Sequence, residues 1–322
     1  MNLKNKNVLV TGGTGMIGYE LASMLLNSCK KLTVASIEDE NILDLDVEYK
    51  KCDLRHFNNC KKVCENQDIV FHIAGVKGSP QMGKTKPSSF FVPMLQFNTN
   101  LLEAVQQSSV EWCLYTSSVG VYGEFDSPED KMWDTFPSDK DWYGGWAKRV
   151  GEMQISAYNI ENKRDRYSII RPANVYGKRD NFDPETGMVI PSLISRIENG
   201  DPELTVWGDG TPIRDFIFAK DVASICKFAV EQEISDPLNA GTGSGVSIKD
   251  LVDTILKYTK NKPTVKWDTT KPSGDQKRVL NVERLKSLGF ENFTKLDDAL
   301  TEIVQWYHDN KNFSKSRYNS FK

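Results

Sequence analysis

The chain has 322 residues, a formal net charge of -3 and 39% hydrophobic residues, enough apolar content for a large core in one or two lobes. There is no basic surplus for nucleic acid, and no apolar run long enough to span a bilayer. Six cysteines (Cys29, Cys52, Cys60, Cys64, Cys113, Cys226) are scattered without paired metal-ligand spacing, and no signal-peptide core precedes the first strand. This pattern points to free thiols, no metal and a soluble cytoplasmic protein.

The first element is the apolar run Val8-Leu9-Val10, which breaks into Thr11-Gly12-Gly13-Thr14-Gly15-Met16-Ile17-Gly18 and then into the helical spacing Ile17, Leu21, Met24, Leu25. Strands are predicted at 7–11, 32–36, 48–51, 69–74, 112–117 and 167–171, with helices at 16–27, 98–108 and 146–160 between them. Such alternation builds a doubly wound parallel sheet of the α/β class. After Pro172, loops rich in Pro, Gly and Asp separate shorter helices at 191–199, 247–258 and 296–308. We expect residues 1–172, with a returning segment at about 213–232, to form the larger lobe, and residues 173–212 and 233–322 a smaller α+β substrate lobe. The Lys/Asn/Ser-rich tail is expected to fray.

The opening turn carries chemistry. Gly12 takes backbone angles that a side chain forbids. Gly15 lets a pyrophosphate approach the backbone, and Gly18 lets the helix pack against the strand. The helix start at Met16 and Ile17 offers free N–H groups and a positive dipole end. Together they imply a dinucleotide and hydride transfer.

The G-x-x-G-x-x-G spacing of Gly12, Gly15 and Gly18 resembles the extended branch of the short-chain dehydrogenase/reductase superfamily, whose members have a Rossmann sheet and act on nucleotide sugars. Further landmarks follow in order. Asp53-Leu54 is similar to the pair beside the adenine, and the strand ending in Ala74-Gly75 to the turn along the cofactor. Asn98 is similar to the structural Asn that opens a helix, Thr116-Ser117-Ser118 to the catalytic Ser/Thr strand, and Arg171-Pro172-Ala173-Asn174 to the sugar-nucleotide entrance. The resemblance covers nearly the whole chain.

The end of the second strand, at Ser36, is where the adenosine ribose is met in this fold. Between Lys31 and Lys50 there is no basic residue, but Glu38, Asp39, Glu40, Asp44, Asp46 and Glu48 are acidic. A 2′-phosphate there would face like charge, which favours NAD; NADP stays open, with Arg55 as the cation that would serve it. These acids could also sit on a solvated loop away from the ribose.

The resemblance assigns Ser118 to the substrate oxygen and Lys148 to the nicotinamide ribose and to lowering a tyrosine pKa. The tyrosine position, four before Lys148, is Gly144, and the nearest phenol is Tyr143. Residues four apart on a helix differ by about 40° around the axis, and five apart by about 140°. Three outcomes stay open. Tyr143 sits ahead of the helix and is bent into place by Gly144-Gly145; water, another side chain or the substrate moves the proton; or the chain has lost activity.

From Gly177 to Val222 the chain is most similar to GDP-L-fucose synthase-like GDP-sugar C4 reductases and dehydrogenases. The shared pieces are Asp180-Asn181-Phe182, Val189-Ile190-Pro191 and Val206-Trp207 through Arg214-Asp215-Phe216, and Lys271-Pro272-Ser273-Gly274 continues the match. This implies that Arg214 and Lys271 meet the diphosphate and that Asn174, Asn181, Val189 and Trp207 belong to the substrate site. An ion pair of Arg214 with Asp215 or Asp209 is the bland alternative.

Val119 and Gly120 stand where dehydratases carry an Asp-Glu pair. Val119 and Met188 stand where 3,5-epimerisation needs Cys and His. The resemblance therefore implies redox at C4 of a nucleotide-activated sugar in deoxysugar, heptose or surface polysaccharide synthesis. A C4-epimerase with retained NAD and a nucleotide-binding protein without activity are the alternatives. A homodimer through 98–108 and 146–160 is the family default. His72 reads as a core residue.

Overall fold

The computed structural model describes residues 1–38, 42–78, 80–271, 274–313 and 318. Asp39 and Glu40 of the acidic stretch, Pro272 and Ser273, and nearly all of the tail after 313 lie outside the described residues.

The chain runs through β1 (Asn7–Thr11), α1 (Met16–Leu25), β2 (Lys31–Ser36), β3 (Glu48–Lys51), α2 (Phe57–Cys64), β4 (Ile69–His72), α3 (Pro80–Thr85) and α4 (Pro87–Gln106). It continues through β5 (Trp112–Thr116), α5 (Trp142–Asn162), β6 (Tyr167–Pro172), β7 (Asn174–Tyr176), α6 (Val189–Glu198), β8 (Glu203–Trp207), β9 (Ile213–Arg214) and β10 (Phe216–Phe218). The last elements are α7 (Ala219–Glu231), β11 (Leu238–Ala240), β12 (Val246–Ser247), α8 (Ile248–Tyr258), β13 (Thr264–Asp268), β14 (Lys277–Arg278), α9 (Glu283–Ser287) and α10 (Leu296–Asp309).

Seven strands form one sheet in the order β11-β6-β5-β4-β1-β2-β3, with every pairing parallel. A side chain on each strand faces alternate sides, so a sheet covered on both faces needs near-continuous apolar strands. Val8 and Val10 of β1 join α1 and α7 on one face, while Leu9 joins α2, α4 and α5 on the other. Ile69 and Phe71 against Val70 repeat the division in β4. The strand order reverses between β1 and β4, and the crevice at such a reversal is where ligands bind.

A further apolar cluster gathers α6, α8 and α10 around Phe182, Leu204, Phe216 and Phe218. Two small sheets, β12-β9-β14 and β13-β8, stand beside it. Among the described residues no helix is long and apolar enough to cross a membrane.

Several boundaries differ from expectation. The returning segment does not end at 232: β11 pairs with β6 in the main sheet, and Leu280, Val282 and Leu285 pack into its core. These stretches are too short to show a period. Helix α4 starts at Pro87 and runs through Pro93, so Asn98 lies inside it rather than opening it. Proline suits the first helical position, and burial of Met94, Phe97 and Leu101 outweighs the one backbone bond that Pro93 forfeits.

Gly18 lets α1 sit on the turn that precedes it. A Cβ at 18 would lie 2.7 Å from Gly13 Cα and closer still to the Gly12 carbonyl oxygen. Overpacking of this kind costs about 1–3 kcal/mol. Gly18→Ala is therefore expected to lower the unfolding free energy by that amount, with a lower urea midpoint, and to weaken dinucleotide binding, read by equilibrium unfolding and calorimetry.

Candidate active site

The floor of the crevice is backbone. Gly12 has φ +67°, and a Cβ there would stand 2.8 Å from Ala74 Cα, so the turns after β1 and β4 touch without side chains between them. Ala74 N–H donates to Thr11 Oγ1, and Thr11 Oγ1 also meets His72 Nδ1 at 2.9 Å. His72 Nε2 meets Asn98 Oδ1 at 3.0 Å, and burial pushes the imidazole down to about 3. His72 is thus a neutral core strut. Gly75, next to Ala74, is exposed at the crevice edge.

Gly15 is the N-cap of α1, with no side-chain cap and no acid in the first turn, so the N–H groups at Met16 and Ile17 face outward for an anion. An uncapped helix start above a side-chain-free turn fits the diphosphate of a nicotinamide dinucleotide.

The ribose end holds one of the acids that follow the second strand. The Glu38 carboxylate folds back onto the crevice, accepting from Thr14 Oγ1 at 2.9 Å and from Ser36, whose hydroxyl lies 2.7 Å from Thr14. Glu38 is buried to 6% exposure. Arg55, the expected partner of a 2′-phosphate, is taken up by Asp53 through Nε at 2.9 Å and a terminal nitrogen at 2.7 Å. That hydrogen-bonded pair holds the Asp53 carboxyl below the usual range. Leu54 is buried beneath it.

Lys148 lies on α5 at the carboxyl end of β5. Its Nζ donates to the Thr116 carbonyl at 2.6 Å and stands 5.0 Å from the centre of the Tyr115 ring. Burial pulls this lysine down to about 8, against the opposing charge of Glu152. Beneath it, Arg171 holds Glu152 at 2.6 Å, Ser117 donates to the same carboxylate, and Arg171 donates to Tyr122 at 2.7 Å. Ser118 is half-buried, and its Oγ accepts the Gly120 N–H at 3.0 Å, leaving its own proton to donate elsewhere.

Helix α5 begins at Trp142, so Tyr143 stands in its first turn rather than ahead of it. It is 43% exposed and edge-on to Phe91. Gly144-Gly145 therefore continue the helix instead of bending Tyr143 toward Lys148; a Cβ at Gly145 would lie 2.6 Å from Pro137 Cβ. At Gly144 a Cβ would stand 2.7 Å from Phe90, whose ring fills the space one turn before Lys148.

The opposite wall is basic. Arg214 donates to the Asp275 carbonyl at 2.6 Å and is partly buried, which lowers its pKa. It pairs with neither acid foreseen: Asp215 accepts from Thr242 and Gly243, and Asp209 from Thr211. Arg278 Nε is buried without a partner. Lys271 Nζ lies 6.0 Å from the Trp207 ring, which is half exposed. Two ion pairs, Lys140–Asp275 at 2.9 Å and Asp141–Arg278, tie this wall to the start of α5. Asn174 Nδ2 donates to the Asp215 carbonyl, Asn181 Nδ2 to Thr186, and Val189 packs on the α6 core. All three side chains thus have structural partners at the edge of the cleft.

A model of the NAD dependent epimerase/dehydratase family matches residues 8–241. GDP-L-fucose synthase 1 of Arabidopsis thaliana is 28% identical over 319 residues, covering 96% of this chain and 95% of that protein. GDP-L-fucose synthase of Escherichia coli (strain K12) is 27% identical over 328 residues, covering 96% and 98%. The solved UDP-N-acetylglucosamine 4-epimerase from Methanobrevibacter ruminantium M1, in complex with UDP-N-acetylmuramic acid, matches with a TM-score of 0.83 at 26% identity, over 95% of this chain and 99% of that one.

Two outcomes follow from this geometry. Lys148 binds its proton less tightly folded, near 8, than unfolded, near 10.5. Its burial therefore destabilises the fold fully below pH 8, and stability recovers as pH rises from there toward 10.5. Lys148→Met should remove that rise, on the order of 3 kcal/mol, from the difference between the two unfolding curves. Tyr143→Phe should change kcat by less than about threefold, whereas loss of a general acid or base costs about 10²-fold or more.

Proposed function

The chain belongs to the NAD dependent epimerase/dehydratase family, and from that premise we propose that it moves hydride at C4 of a nucleotide-activated sugar, with GDP as the nucleotide. The observation that carries this is the arrangement of Lys148 and Ser118 at the carboxyl edge of the sheet, shared with the glycine turn and tied to the wall of Arg214 and Arg278. When bound, a nicotinamide dinucleotide supplies the hydride acceptor or donor.

The residues divide the remaining work. The N–H groups at the start of α1 hold the diphosphate of the dinucleotide, with Ser36, Asp53 and Leu54 toward its adenosine and Ala74-Gly75 along it. The Glu38 carboxylate suits the 2′-hydroxyl of NAD and repels a 2′-phosphate. Lys148 orients the nicotinamide ribose and adds positive charge beside the reacting oxygen. Ser118 donates to that oxygen. Arg214 and Lys271 neutralise the sugar nucleotide's phosphates, and Trp207 offers a face beside them. Asn174, Asn181 and Val189 bound the sugar side. Val92 on α4 with Val150, Met153 and Ile160 on α5 are exposed apolar residues that support a homodimer through these helices.

The test is mass spectrometry of the nucleotides released on denaturation, followed by incubation with deuterated nicotinamide and GDP-hexoses or their 4-keto forms. Deuterium is expected to pass to or from C4. Turnover without added cofactor would indicate epimerisation, and a bound dinucleotide with no label transfer would leave a binding protein only. Lys148→Met and Ser118→Ala should each lower kcat by ~10²-fold or more, while Arg214→Ala should act mainly through KM.

A further inference from the structure

With no tyrosine one turn before Lys148, some other group must exchange the proton of the sugar hydroxyl, and the Asp141 carboxylate borders the same space as Ser118. Asp141 is the N-cap of α5, yet its side chain makes no cap hydrogen bond. The side chain instead lies across Gly120. A Cβ built on Gly120 would be 3.2 Å from Asp141 Cβ, 3.4 Å from Asp141 Cγ and 3.4 Å from Ser118 Oγ. Asp141 and Ser118 therefore border one space, which any side chain at 120 would crowd. Arg278 holds the carboxylate from the opposite wall, and Asp141 remains 32% exposed, open to proton exchange with solvent.

We propose that Asp141, acting through the Ser118 hydroxyl, is the general base and acid of this site. The assignment rests on the hydride-transfer reading above. In the oxidising direction the C4–H bond breaks with its electron pair, and an oxidised nicotinamide is reduced by that hydride. The C4 hydroxyl becomes a carbonyl, passing its proton to Ser118 Oγ while Ser118 passes its own to the Asp141 carboxylate. Reduction of a 4-keto sugar reverses each transfer.

Asp141→Ala should lower kcat by ~10²–10³-fold with KM within about threefold, and added formate should restore at least ~tenfold. Lys140→Ala removes the neighbouring ion pair to Asp275 and should leave kcat within about twofold, separating proton transfer from tethering of the wall. If Asp141→Ala melts early, Asp141→Asn keeps the shape and reads the same loss. In the dinucleotide-free protein, the carbon-13 carboxyl signal absent from Asp141→Asn should move in Ser118→Ala. An Asp141 variant with undiminished kcat, a rate deaf to formate, an equal loss in Lys140→Ala, or a carboxyl signal unmoved by Ser118→Ala overturns the assignment. A wild-type chain that transfers no label overturns the functional reading itself.

Discussion

Two backbone turns touching at the point where the strand order reverses are what the remainder of the molecule depends on. The turn after β1 meets the turn after β4 through Gly12 and Ala74, and α1 presses onto the first of them through Gly18. Only chain without side chains permits both approaches, and together they leave the start of α1 uncapped and turned toward the crevice. Thr11, His72 and Asn98 lock the two strand ends from beneath with buried hydrogen bonds. The dinucleotide cradle is thus fixed before any ligand-binding side chain is considered.

The edge that carries Lys148 and Ser118 is held by a different kind of force. Glu152, Arg171, Ser117, Tyr122 and Asn239 form a buried polar network joining α5, β5, β6 and β11. A buried ion pair adds little net stability, since desolvation opposes its attraction, but breaking one partner is costly. Such a network fixes geometry: it sets the depth at which Lys148 meets Thr116 and the direction in which Ser118 leaves the strand. The basic wall reaches this edge through the ion pairs at 140 and 141, through Arg278 over the Phe125 ring, and through Leu280 and Val282, which enter the main core just after Arg278.

The strands read at 7–11 and 112–117 were legible because alternate residues serve two cores and the apolar runs are bounded by polar or glycine residues. The glycine turn was legible because its spacing has one good steric use. Helix α4 was not, because Pro93 reads locally as a break while the compensating burial is distant in sequence. Glu38 was hidden among acids that composition cannot separate from a solvated loop. Asp141 was invisible for the same reason in sharper form: its partner, Arg278, lies 137 positions away, and its nearness to Ser118 depends on the missing side chain of Gly120.

Phe90 makes position 144 costly to enlarge. A single change from glycine to tyrosine at 144 would drive the new side chain into an aromatic ring already seated there. A phenol at 144 therefore calls for the Phe90 ring to swing aside or to give way to a smaller side chain. Anyone rebuilding a phenol at this position by design has to treat 90 and 144 as one site, although they lie on different helices.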